Sequence, residues 1–322
     1  MVSILDQKIV FLFPGQGAQY PGMALDLLET GSGKVKELFD LASEIMGRDM
    51  RTVLGDAEAL KRGDLAQPAI TLANLAAAAL LEERGIRPEV CAGHSLGEYA
   101  ALQRAGVFSV EDCFKLVKCR GKAMAAAAER LREGPGGSAQ AAGMAAVIGL
   151  APEQVEALID EWKAAGEMAE LYAANFNSPR QTVVSGTAGA LDRAEELFKA
   201  AGARRVLRLP VAGPFHSPLI AGALEEFGPV LEATVFHDPR IPVYSNVTGT
   251  RIRTGAEAKK LARAQITGPV RWTCEEEAIQ GTGIQAALET GPGKTLQGLW
   301  RDSPGPQPCY PAGTAADIAA LC

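Results

Sequence analysis

The sequence EVCAGHSLGEYAALQRA, residues 89–105, decides the fold. Its short apolar start predicts a buried strand over 89–92, the GHSLG segment predicts a tight turn, and the remainder predicts a helix over 96–105. The same alternation occurs earlier, with an apolar strand over 9–13, a helical region to about residue 50 and an alanine-rich helix over 70–81. Strands that alternate with helices are typical of an α/β fold with a mostly parallel sheet.

The middle of the chain follows a different order. The pattern predicts strands over 144–150, 169–174, 181–185 and 204–211, with helices over 152–165 and 188–201. This β-α-β-β-α-β order is that of a ferredoxin-like unit, and EGPGGSAQAAG, residues 133–143, is a glycine-rich linker that leads into it. The C-terminal part returns to α/β, with an extended segment over 241–246. We expect a larger domain, residues 1–130 and 212–322, that carries a smaller inserted domain, residues 131–211, with a cleft between them.

Composition excludes several functions. The 322 residues are 47% hydrophobic, which is enough apolar material for a real core. Acidic residues outnumber basic ones by 38 to 32, which argues against nucleic acid as a partner. Six scattered cysteines without a C-x-x-C pair, and only three histidines, indicate neither a metal site nor a disulfide scaffold. Charge interrupts the alanine-rich stretches, so we expect no membrane span, and the apolar N-terminal run indicates a strand of a cytoplasmic protein rather than a signal peptide.

The G-x-S-x-G motif around Ser95 predicts a nucleophile elbow, because it follows a short strand and precedes a helix. Glycines on both sides permit a turn that exposes the hydroxyl at a helix N-terminus, where free N–H groups favour developing negative charge. The alternative is a capping box made by Ser95 and Glu98.

A serine nucleophile needs a base, and the three histidines are the candidates. His94 is adjacent to Ser95 on the opposite side of the turn, and His237 precedes a strand in a surface loop. His216 stands where the inserted unit returns to the larger domain, so it faces the expected cleft and is the best base. No acid is obvious as a third member, and a backbone carbonyl can orient the imidazole instead.

Arg120 lies on the apolar stripe of the helix predicted over 111–131, together with Val117 and Met124. A cation at such a position needs a partner. It could form an internal ion pair with a nearby acid, or it could bind the carboxylate of a substrate in the cleft.

The chain also resembles a known family, the malonyl-CoA:acyl-carrier-protein transacylases of bacterial fatty-acid synthesis and the acyltransferase domains of polyketide synthases. Seven segments in order carry this resemblance: FPGQGAQYPGM (13–23), QPA (67–69), GHSLGEYAAL (93–102), RGKAM (120–124), NFNSPRQ (175–181), GPFHSPL (213–219) and ETGPGKTLQGL (289–299). The resemblance implies an α/β-hydrolase-like large subdomain with an inserted ferredoxin-like one.

The resemblance also implies a ping-pong reaction. Ser95 would take malonyl from malonyl-CoA, His216 would act as base and then as acid, and the phosphopantetheine thiol of holo acyl carrier protein would accept the group. The backbone N–H groups of Gln16 and Leu96 would form the oxyanion hole. The main-chain carbonyl of Gln265, in AQITGPVRW, would orient the imidazole. No permanently bound cofactor is implied.

Substrate contacts follow from the same resemblance. Arg120 would hold the malonate carboxylate, and Gln67 and Asn177 would line the cleft or the pantetheine channel. Phe215, directly before the histidine, would crowd the α-carbon and favour malonyl over methylmalonyl.

Two other functions remain open from the sequence. One is an acyl-thioester hydrolase of the same fold, and the other is an acyltransferase that serves a polyketide synthase. The carrier protein is acidic in this family, and Arg204, Arg205 and Arg208 are candidates for a basic docking surface.

Overall fold

The structure, a computed structural model, describes residues 3–133 and 142–321, so most of the linker expected over 133–143 lies outside the described residues. The first part of the chain contains β1 (Ile9–Phe13), α1 (Leu25–Glu29), α2 (Gly33–Met46), α3 (Met50–Gly55), α4 (Gly63–Glu83), β2 (Val90–Gly93), α5 (Gly97–Arg104) and α6 (Val110–Glu133). The middle contains β3 (Gly143–Ile148), α7 (Pro152–Ala164), β4 (Leu171–Ser178), β5 (Gln181–Gly186), α8 (Ala188–Ala200) and β6 (Arg205–Arg208). The last part contains α9 (Ala223–Ala233), β7 (Val243–Tyr244), β8 (Arg251–Ile252), α10 (Gly255–Ala264), α11 (Trp272–Gln280), β9 (Ala286–Glu289), α12 (Thr295–Asp302), β10 (Cys309–Pro311) and α13 (Ala315–Ala320).

The larger sheet has the strand order β10-β9-β1-β2-β7-β8, and only β8 runs antiparallel to its neighbour. The sequence IVFLF of β1 is buried at every position because this strand lies between β2 and β9 with apolar clusters on both faces. Phe13 pairs with Gly93, so β1 and β2 end at the same edge of the sheet. The loops that follow these two strands therefore emerge side by side, where open α/β sheets bind ligands.

The smaller sheet is antiparallel, with the order β4-β5-β3-β6. Helices α7 and α8 pack on one face of it around Val155, Leu191 and Phe198. This order and topology confirm the ferredoxin-like prediction. The last strand is shorter than the predicted 204–211, because Pro210 has no N–H to continue the ladder.

Helix α4 bears on two expectations. It begins at Gly63, so the predicted start at residue 70 was wrong, and it continues through Pro68, which lacks an N–H to bond the carbonyl four residues earlier. The expectation of no membrane span is tested by the same helix. By length and composition α4 qualifies, the single such helix in the described residues, with a mean hydropathy of 1.3. However, 94% of that apolar window is buried inside the fold, as expected for a helix that packs on all sides.

Candidate active site

Ser95 occupies a sharp turn between β2 and α5. Its φ of 51° places it in the left-handed region, which is rare outside glycine. A Cβ added at Gly93 would lie 2.1 Å from the Gly97 backbone, and one added at Gly97 would lie 1.9 Å from the Phe13 carbonyl oxygen. Both glycines are therefore required by close backbone approach. The capping-box alternative is not seen, because α5 begins at Gly97 without a side-chain cap.

His216 accepts a hydrogen bond from the Ser95 hydroxyl, with 2.7 Å between Oγ and Nε2. Its Nδ1 lies 3.0 Å from the Gln265 carbonyl oxygen and 3.2 Å from that of Gly268. Two carbonyl acceptors at Nδ1 require the ring proton there, which leaves Nε2 free to accept. Burial lowers the pKa of His216 to about 3, and the charges of Arg120 and His94 act in the same direction. The imidazole is therefore neutral and able to take a proton at neutral pH.

The loop after β1 packs directly against the elbow. A Cβ added at Gly15 would lie 2.4 Å from the His94 carbonyl oxygen and 3.5 Å from the Leu96 nitrogen. Within residues 3–133 and 142–321, the backbone N–H groups of Gln16 and Leu96 donate no hydrogen bond. Two unused N–H donors beside a serine hydroxyl can stabilise a developing oxyanion.

Arg120 is buried, with 1% of its surface exposed, next to the nucleophile. Its Nη1 donates to Gln67 Oε1 at 2.9 Å, and its Nη2 donates at 3.3 Å to Ser95 Oγ and to Gln265 Oε1. The face of Tyr99 lies 5.4 Å away. No carboxylate pairs with this guanidinium in the described chain, and its Nε has no partner. The internal ion pair considered from the sequence is thus not found, and burial lowers the pKa of Arg120.

Gln67, Asn177 and Phe215 line the same cavity of about 440 Å³ as Ser95 and Arg120, between the two sheets. Asn177 Oδ1 lies 2.8 Å from His94 Nε2, so an amide of β4 in the smaller sheet contacts the imidazole that follows β2 of the larger sheet.

The other two histidines lie as the sequence predicted. His94 packs edge-on against Trp272 at 5.5 Å between ring centroids, whereas His237 is exposed. No group of histidine, cysteine and acidic side chains that could hold a metal ion occurs in the part of the chain that the structure describes.

Sequence reasoning missed a buried polar network beneath the elbow. The Ser95 N–H donates to Asn246 Oδ1 at 2.7 Å, and Asn246 Nδ2 donates to Glu275 at 2.7 Å. Glu98 accepts from the Asn246 N–H at 3.1 Å and from Gln265 Nε2 at 2.7 Å. Burial raises the pKa of Glu98 to about 7 and that of Glu275 well above its usual value. The network joins four segments, around residues 95–98, 246, 265 and 275, so only the position of Glu98, three residues after the nucleophile, was a signal.

Known proteins of one family are similar to this chain. The model of the acyl transferase domain matches residues 10–302. The malonyl CoA-acyl carrier protein transacylase of Bacillus subtilis is 39% identical over 294 residues, which cover 91% of this chain and 89% of that protein.

Two solved structures are similar over nearly their whole length. An acyl carrier protein S-malonyltransferase from Vibrio cholerae has a TM-score of 0.88 at 36% identity and covers 98% of this chain and 100% of its own. A malonyl-transacylase solved in complex with its type II polyketide synthase acyl-carrier protein has a TM-score of 0.87 at 34% identity, with 98% of each chain covered. With the family model spanning most of its length, this chain belongs to the acyl transferase domain family.

Proposed function

We propose that this protein transfers a malonyl group from malonyl-CoA to the phosphopantetheine thiol of holo acyl carrier protein. Ser95 Oγ attacks the thioester carbonyl while His216 Nε2 takes its proton. The carbonyl oxygen becomes negative and is stabilised by the N–H groups of Gln16 and Leu96. The carbon–sulfur bond then breaks, the CoA thiol leaves with the proton from His216, and a malonyl ester remains on Ser95.

The second half repeats these steps in reverse. The carrier thiol gives its proton to His216 and attacks the ester carbonyl, and the serine oxygen leaves and recovers that proton. The carbonyl of Gln265 keeps the proton on Nδ1 throughout, so that Nε2 stays available for the transfer. No metal or bound cofactor is needed for either half.

The environment of Arg120 indicates which class of acyl group the site accepts. A buried guanidinium without a carboxylate partner, 3.3 Å from the nucleophile, is a site for an acid group on the acyl chain. In malonyl the carboxylate is one methylene away from the thioester carbonyl, so both ends can be held in the cavity at once. Gln67 supports the guanidinium, Asn177 lines the wall, and Phe215 crowds the α-carbon against a methyl branch.

The partner is an acyl carrier protein of fatty-acid or polyketide synthesis. Relatives of both kinds support this, because the named transacylases act on acyl carrier protein and one structure contains a polyketide carrier. The exposed Arg204 and Arg205 are part of the proposed docking face, whereas Arg208 is paired with Asp192.

Residues 1–130 and 212–322 form the catalytic subdomain and 131–211 the inserted one, since every strand of the smaller sheet falls between 143 and 208. A cytoplasmic location fits the five described cysteines, all of them free.

Intact-protein mass spectrometry tests the proposal. After brief exposure to malonyl-CoA we expect a malonyl adduct on the parent protein, its loss on addition of holo carrier protein, and no adduct on Ser95→Ala. Release of free malonate at the same rate with and without carrier would instead indicate the hydrolase alternative. An absence of any adduct on the parent would refute the proposed chemistry.

A further inference from the structure

The side chain of Gln265 contacts more parts of the active site than any role of its backbone carbonyl requires. The residue follows α10, and 1% of its surface is exposed. Its Nε2 lies 2.7 Å from Glu98 Oε2, 2.9 Å from the Ser95 carbonyl oxygen and 3.2 Å from Asn246 Oδ1. Its Oε1 accepts a hydrogen bond from Arg120 Nη2 at 3.3 Å. One amide thus joins the elbow to the guanidinium.

The orientation of this amide is determined by its neighbours. Three acceptor oxygens surround Nε2, and a guanidinium donor faces Oε1. A flipped amide would place an oxygen against three oxygens and an NH₂ group against a cation, which would break all four hydrogen bonds and put repulsive contacts in their place. Because unpaired buried polar groups are costly, only the observed orientation is compatible with the site.

The bond to the Ser95 carbonyl acts on the oxyanion hole. The Ser95 carbonyl and the Leu96 N–H belong to the same planar trans peptide, so they point in opposite directions. Gln265 Nε2, at 2.9 Å, and the Glu98 N–H, at 3.2 Å, both donate to this carbonyl oxygen, and Gln265 is the one side chain of the pair. With the carbonyl held on that side of the turn, the N–H of Leu96 is directed to the other side. That N–H has no acceptor within the described chain. The amide therefore fixes the direction of a donor without touching the substrate.

The hydrogen bond from Arg120 to Gln265 Oε1 helps to position the guanidinium that would bind the substrate carboxylate. Apart from Gln265, this guanidinium is held by Gln67 at 2.9 Å and by the Ser95 hydroxyl at 3.3 Å. The serine oxygen reacts and cannot hold Arg120 during turnover. Gln67 and Gln265 are then the two neutral acceptors that keep the guanidinium in place without neutralising it.

We propose that the Gln265 side-chain amide is a positioning residue that orients the Leu96 N–H of the oxyanion hole and the Arg120 guanidinium together. This rests on the proposed function for the roles of Leu96 and Arg120, and it is separate from the contact between the Gln265 backbone carbonyl and His216. The Gln265 amide thus links the Leu96 N–H, which stabilises the oxyanion, to the Arg120 guanidinium, which binds the carboxylate of the acyl group.

Gln265→Met tests the proposal, because it keeps the backbone carbonyl and the side-chain length but removes both hydrogen-bonding ends. Gln280→Met is the matched control, since Gln280 is a half-buried glutamine that bonds Ser303 away from the cavity. The first measurement is the rate at which a small uncharged fluorophosphonate modifies Ser95, because that reaction needs the oxyanion hole but no carboxylate. Removal of one oxyanion donor costs about 100-fold or more, so misdirecting it should slow modification about 10-fold or more.

The second measurement is the KM for malonyl-CoA and for acetyl-CoA, per active site. We expect Gln265→Met to raise the KM for malonyl-CoA about 10-fold and to leave that for acetyl-CoA unchanged. A merely structural defect would lower the active fraction and change neither KM. If Gln265→Met does not fold, Gln265→Glu keeps an oxygen toward Arg120 but offers no N–H to the Ser95 carbonyl, and it should show the same slow phosphonate reaction.

Phosphonate rates within twofold of the parent in these variants would overturn the oxyanion half of the proposal, and equal KM changes for both thioesters would overturn the Arg120 half. A parent that reacts with the phosphonate but transfers no malonyl would refute the proposed function, while the phosphonate comparison would still decide the role of Gln265.

Discussion

The positive charge of Arg120 should control the basicity of His216, and its removal should be visible in a pH profile. Arg120 Nη2 lies 3.3 Å from Ser95 Oγ, which lies 2.7 Å from His216 Nε2. The charge is thus close to the imidazole in a buried site. After burial, Arg120 is the largest cause of the low pKa of His216, which is about 3. Arg120→Met removes this charge and keeps an apolar side chain of similar length.

The size of the effect follows from the distance. For charges about 6 Å apart at an effective dielectric constant of about 20, Coulomb's law gives roughly 3 kcal/mol, or about two pH units. Because the site relaxes when the charge is lost, we expect the pKa of His216 to rise by about 1–2 pH units. It should stay below the usual value for histidine, since burial remains.

The assay is the rate of Ser95 modification by an uncharged fluorophosphonate between about pH 4 and pH 8, which reports the base of the free enzyme. The parent should be on its plateau down to about pH 4.5, whereas Arg120→Met should lose rate below about pH 5. Lys122→Met is the control, because it removes a charge from the same helix at a solvent-exposed position, where screening is strong. Superimposable profiles for the parent and Arg120→Met, or a parent profile that falls near pH 6.5, would refute the reasoning.

Three further changes have expected outcomes. Arg120→Ala should lower kcat/KM for malonyl-CoA by about 100-fold or more, the value of two charge-assisted hydrogen bonds, and should abolish the preference over acetyl-CoA; a retained preference would remove Arg120 from its role. Gly97→Ala should lower the free energy of unfolding in urea by several kcal/mol, because its Cβ would meet the Phe13 carbonyl oxygen at 1.9 Å. The control is Gly189→Ala, whose Cβ meets nothing within 4 Å and which should raise the free energy of unfolding by at most about 1 kcal/mol. Glu98 has a folded-state pKa of about 7 against 4.5 for the free group, so the folded state keeps a proton that the unfolded chain loses between these values. Glu98 therefore contributes a loss of up to about 1.4 kcal/mol of stability per pH unit as pH rises through this window. Glu98→Gln should make the fall in stability shallower by that amount, while the raised pKa of Glu275 keeps part of it; parallel stability curves for the parent and Glu98→Gln would contradict this pKa.

Hydrophobic pattern and turn residues were sufficient to predict the fold class and most elements. The strand over 9–13 and the two helices of the smaller unit match the structure to within a residue. Prediction failed where tertiary contacts override local preference. The helix predicted over 70–81 begins at Gly63, because α4 is buried on all sides and its packing outweighs the one hydrogen bond that Pro68 cannot donate. The segment over 241–246 forms only the two-residue strand β7, because Ser245 bonds Gly249 and Thr250 in a turn and Asn246 bonds the elbow.

The active-site residues also fall into those that local sequence predicts and those that depend on tertiary contacts. A motif with a local geometric requirement indicated Ser95, elimination among three histidines indicated His216, and helical spacing placed Arg120 on a buried face. The structure brings these three side chains within hydrogen-bond distance of one another, through the serine hydroxyl. The support beneath them depends on pairing between distant segments. Asn246 reaches the Ser95 N–H from the turn after β7, and no spacing within either segment signals that contact.

The free enzyme holds its nucleophile in a restrained state, and the substrate carboxylate should release it. Arg120 Nη2 donates to the Ser95 hydroxyl, which occupies a lone pair of the attacking oxygen, and the same charge lowers the pKa of His216. A malonyl carboxylate paired with Arg120 competes for that donor and neutralises the charge, so the oxygen becomes a better nucleophile and the imidazole a stronger base. An acetyl group leaves both restraints in place. Because these changes act on the chemical step, the preference for malonyl-CoA over acetyl-CoA should appear in the single-turnover acylation rate as well as in KM. A preference confined to KM would mean that Arg120 only binds the carboxylate and does not regulate the nucleophile.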